Sequence, residues 1–96
     1  MLRLLPLAAA LLAALPARAD ELPVLLRPGP GDEVVQQNCA VCHSLDYIEM
    51  NSPFLSAAGW AAEVAKMRNL YGAPVSDADA AAIRGYLAAT YAAPAP

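Results

Sequence analysis

The sequence predicts a small all-α domain built from three main helices. Three observations lead to it. β-Branched residues after residue 19 number only nine, six Val, two Ile and one Thr, and they do not alternate with polar neighbours, so no strand is expected. Two stretches repeat apolar residues at helical spacing, and segments rich in proline or glycine punctuate the remainder. A chain of 96 residues holds one hydrophobic core, which excludes a two-domain enzyme.

Residues 1–19, MLRLLPLAAALLAALPARA, read as a cleaved export signal. Arg3 precedes an apolar run from Leu4 to Leu15, and Ala17-Arg18-Ala19 supplies the small-x-small pattern cut by signal peptidase. A retained anchor is the competing reading. The run of about 12 residues falls short of the roughly 20 that span a bilayer, so no membrane span is expected after cleavage. Residues 20–30, DELPVLLRPGP, carry three prolines and form an extended arm, whose Val24-Leu25-Leu26 cluster needs cover from the core or a partner.

Residues 31–96 form the domain proper. A first helix is expected at about 32–42, where Asp32 and Glu33 suit the positive end of the helix dipole and Val35 and Cys39 share one face. Residues 44–56, with Asp46, Asn51, Ser52 and Pro53, read as an irregular loop with room for one helical turn. A second helix fits 57–70, because Trp60, Val64, Met67 and Tyr71 lie on one stripe before Gly72 and Pro74. A third starts at Ser76, where Asp79 three residues on resembles a capping box, and presents Ile83, Tyr86, Leu87 and Thr90 or Tyr91 before Pro94. Gly85 within it costs about 1 kcal/mol relative to alanine, which suggests a close crossing with the first helix.

Export would leave 77 residues, of which 41 are apolar and 16 of those alanine. So thin a core calls for a disulfide, a metal or a cofactor. Loss of Arg3 and Arg18 also leaves four basic against nine acidic side chains. Nucleic acid is therefore excluded as a partner, and a basic protein face is favoured.

The two cysteines and the single histidine of the chain stand together as Cys39-Ala40-Val41-Cys42-His43. This spacing attaches c-type haem. Two thiols three residues apart on a helical turn can add to the two vinyl groups of one porphyrin, and the adjacent imidazole reaches the iron. A structural zinc site would need further ligands that the sequence lacks, and a redox-active disulfide would want a βαβ framework.

The sixth iron position has two methionine candidates, since bis-histidine ligation is impossible within the chain. Met50 lies seven residues after His43, a reach of at most roughly 25 Å, barely enough to round a porphyrin edge. Met67 lies 24 residues on, with room for a loop and a helix, and is favoured over Met50. The plain alternative for Met67 is core packing on its stripe. Tyr47, Phe54, Trp60 and Tyr71 are core or crevice residues, and Lys66 and Arg68 fall on a solvated face or pair with a propionate.

The run CAVCHSLDYIEMNSPF from Cys39 to Phe54, with Gly59-Trp60, Lys66-Met67 and Tyr71-Gly72-Ala73-Pro74-Val75-Ser76, resembles the monohaem cytochrome c subunit of periplasmic sulfite dehydrogenase. The likeness covers residues 31–91. It implies a class I-like cytochrome c fold in which the first and last helices cross, with His43 and, by match, Met67 as axial ligands. In that family a molybdopterin-containing subunit oxidises sulfite and passes single electrons to the haem, which delivers them to a soluble cytochrome c. The resemblance thus makes this chain a periplasmic relay in a heterodimer, not an enzyme by itself. Competing readings are a free-standing cytochrome c, the haem subunit of another periplasmic dehydrogenase, a thiol-disulfide oxidoreductase using Cys39 and Cys42, and a haem sensor or peroxidase with an open iron site.

Overall fold

A computed structural model describes residues 24–95, and over that span the chain is all-helical with four helices and no strand. The expected export signal, residues 20–23 of the arm, and Pro96 lie outside the described residues. No helix among the described residues is long and apolar enough to cross a membrane.

Helix α1 spans Asp32–Cys39, α2 Asp46–Asn51, α3 Ala57–Asn69 and α4 Asp77–Thr90. The α4 helix is the spine. It packs against both α3 and α1, so the first and last helices are in contact. The core between them consists of Val35 from α1, Leu45 and Ile48 at α2, Trp60 and Val64 from α3, and Ala80, Ile83, Tyr86, Leu87 and Tyr91 on the last helix and its cap. Both expected stripes therefore point inward, apart from Met67, which is half-buried and outside the core, and Tyr71, which lies beyond the end of α3 and is exposed.

Two helix starts follow from local chemistry. The Ser56 hydroxyl accepts the Gly59 amide at 3.2 Å, and the Ser76 hydroxyl accepts the Asp79 amide at 3.1 Å. Only half of the expected capping box forms at Ser76. The Asp79 carboxylate is instead approached by the Asn38 amide at 3.4 Å, which ties α4 to α1.

The first helix stops at Cys39, three residues before its expected end, and Ala40–His43 turn away from its axis. No breaker residue explains that stop. The turn delivers Leu45 and Ile48 to the core, so burial overrides local propensity. In the segment expected to be irregular, the chain forms α2, started where the Ser44 hydroxyl accepts the Asp46 amide and donates to its carboxylate. Six residues with one buried side chain leave no periodic signature in the sequence.

Gly85 is not the crossing point. It is exposed, and a Cβ there would meet nothing within 4 Å. The close approach is at Gly31, which has φ 96° and sits where a Cβ would lie 3.0 Å from the Ala82 carbonyl oxygen. Opposite outcomes are expected from the same change at these two glycines. Gly31→Ala should cost about 2 kcal/mol through left-handed strain and crowding, whereas Gly85→Ala should stabilise α4 by up to about 1 kcal/mol. Thermal melts in which both variants moved in the same direction would contradict this.

The arm is fastened to its own domain. The Tyr91 hydroxyl accepts the Arg27 amide at 2.9 Å, the Tyr86 hydroxyl donates to the Arg27 carbonyl at 2.6 Å, and the guanidinium lies 4.7 Å from the Tyr91 ring centre. Val24 and Leu26 pack on the core, while Leu25 is 81% exposed. The core thus supplies the cover that two of the three clustered residues need.

Candidate functional site

The loop after α3 builds one wall of a cleft against α1 and the turn that follows it. The Tyr71 amide donates to the Lys66 carbonyl and the Ala73 amide to the Met67 carbonyl, so the chain folds back at Gly72, whose φ is 70°. Arg68 then fixes the far end of the loop: its Nε donates to the Val75 carbonyl and its Nη2 to the Asp77 carboxylate. Arg68 is a staple within the chain rather than a solvated side chain.

The resulting cavity is about 520 Å³. That is ample for a small-molecule cofactor. Cys39, Cys42 and His43 line one side; Val64, Met67 and Arg68 from α3, the loop Tyr71–Val75, and Ile83 of α4 line the others. Met50 does not line it and is 71% exposed. Of the aromatic candidates, Tyr47 and Tyr71 face the cleft, Trp60 is core, and Phe54 is exposed.

Both thiols are free, with Cys39 half-buried at the end of α1 and Cys42 exposed in the turn after it. Burial pushes the Cys39 thiol above its usual range. A disulfide-exchange nucleophile needs the reverse, a thiolate stabilised at neutral pH. His43 is exposed, and its Nδ1 lies 3.0 Å from the Ser44 carbonyl oxygen. A carbonyl only accepts, so Nδ1 is the donor in this contact, and Nε2 is the nitrogen left to face a metal.

Tyr47 stands beside it, with ring centres 5.4 Å apart. The Tyr47 hydroxyl donates to Glu63 at 2.8 Å, and Lys66 donates to the other oxygen of the same carboxylate at 2.8 Å. These partners, Lys66 first and Tyr47 second, hold the Glu63 carboxyl below its ordinary pKa. Glu63 and Asn38 were not among the sequence candidates; a carboxylate three residues before a lysine on one helix is the only signal that pointed to the former.

Among the described residues no group of three or more His, Cys, Asp and Glu could hold a bare metal ion. The donor set fits a porphyrin-borne iron better, because that needs two thiols, one imidazole and a soft sulfur on the walls of an apolar slot. Those are the residues the cleft gathers. No protein-family model matches the chain, and no curated protein matches it.

Proposed function

We propose that the chain is a one-haem electron-transfer domain of class I-like cytochrome c architecture, acting in the periplasm as the relay subunit of a sulfite dehydrogenase. One observation carries most of the weight: a single apolar cleft brings Cys39, Cys42, His43 and Met67 together and leaves Met50 out. The bound haem would supply reversible one-electron exchange. Cys39 and Cys42 would hold it as thioethers, and His43 through Nε2 and Met67 through its thioether sulfur are the residues that would bind its iron. The loop Tyr71–Val75 and Ile83 would give the cleft part of its apolar wall.

The partner assignments rest on the sequence resemblance: a molybdopterin-containing sulfite-oxidising subunit as donor and a soluble cytochrome c as acceptor. Exposed Val41, between the two cysteines, and Tyr71 at the cleft give that exchange an apolar contact surface. Arg27 binds the arm to α4, so among the described residues of the arm the exposed large apolar side chain left for docking is Leu25.

The deciding experiment is a pair of substitutions in protein matured with haem. Met67→Ala is expected to abolish the methionine-to-iron charge-transfer band of the oxidised protein, and Met50→Ala to keep it. The reverse pattern would move the sixth ligand to Met50. Purification with bound chains, identified by mass, tests the sulfite-oxidising partner.

A further inference from the structure

The turn bearing His43 and the helix bearing Met67 are joined across the cleft edge by side chains that no ligand role requires. Tyr47, four residues after His43, lays its ring beside the imidazole, and its hydroxyl reaches Glu63 on α3 at 2.8 Å. Glu63 lies four residues before Met67, hence one turn back on the same helix. Lys66, itself exposed, donates to the second carboxylate oxygen at 2.8 Å.

We infer that Tyr47 is a positioning residue, which with Glu63 forms a brace that sets the separation of the two cleft walls and thereby holds Met67 against the iron. This rests on the haem reading above. The ring contact restrains the imidazole, and the hydroxyl restrains the neighbouring helix. Each is an ordinary interaction; their effect comes from sitting on both sides of one slot. A hydrogen bond to a charged acceptor is worth enough to change a competing equilibrium by about tenfold.

The test is displacement of Met67 by added imidazole in the haem-loaded protein, followed through loss of the charge-transfer band. Tyr47→Phe keeps the ring and breaks the brace, and Glu63→Leu breaks it from the other end. Each is expected to bind imidazole about tenfold more tightly than the wild type, and the double variant no more tightly than the stronger single. Lys66→Ala, which leaves the Tyr47 bond in place, is expected to change binding less than either. A cooperative melt of each variant shows that the fold persists. A red wild type whose imidazole affinity is unchanged in Tyr47→Phe and Glu63→Leu overturns the brace alone. A wild type that takes up no haem overturns the brace and the function together.

Discussion

Trp60→Ala is expected to bring the domain to the edge of unfolding at room temperature. The indole is 2% exposed and among the largest fully enclosed side chains, at the seam where α3 meets α4. Removing it deletes packing worth about 3–5 kcal/mol, against a total stability of roughly 5–15 kcal/mol for folded domains, and a core this thin belongs at the low end. The indole N–H also donates to the Tyr91 carbonyl at 3.1 Å, an oxygen that the Ser52 hydroxyl shares. Trp60→Phe separates the two contributions. It keeps an aromatic ring and gives up the N–H, so it should melt cooperatively at an intermediate temperature. A Trp60→Ala protein that melts within a few degrees of the wild type would show that the seam is held elsewhere.

The double variant Cys39→Ala/Cys42→Ala is expected to lose covalently bound haem entirely. Wild-type protein matured in the same cells should stay coloured after denaturation and weigh one haem more than its polypeptide; the variant should do neither. Each single variant should keep one thioether. The variant should also melt below the loaded wild type, because ligand bound only to the folded state stabilises it by mass action. The thiol-disulfide alternative forecasts something else: colourless wild-type protein with two titratable thiols. Colour that resists denaturation in the double variant would dismiss the thioether assignment.

Much of the fold was legible because the signals were local. Ser76, the stripe from Ile83 to Tyr91, and the stop at Gly72 and Pro74 each act within a few residues, and α3 and α4 lie within a residue or so of their expected bounds. What failed depended on contacts distant in sequence. The α1 helix ends early because Leu45 and Ile48 are wanted in a core that α3 and α4 complete. The glycine at the close approach was placed on the wrong helix, since composition cannot reveal that Ala82 and Tyr86 press on Gly31 while Gly85 faces open space. That Cys39, Cys42 and His43 gather at one cleft was legible as a spacing. The partner of Tyr47 was not, because hydrogen bonding to Glu63 spans 16 residues and two helices.

The two tyrosines that grip the arm do so through the amide and carbonyl of Arg27. Main-chain groups are common to nearly every amino acid, so these two bonds do not depend on the side chain at position 27, whereas the guanidinium adds contacts of its own to the Tyr91 ring and the Thr90 carbonyl. Proline alone lacks the N–H that Tyr91 takes up. A different residue at position 27, proline aside, would keep both main-chain bonds and forfeit those of the guanidinium, while loss of either phenol would remove one main-chain bond and leave Val24 and Leu26 packed on the core.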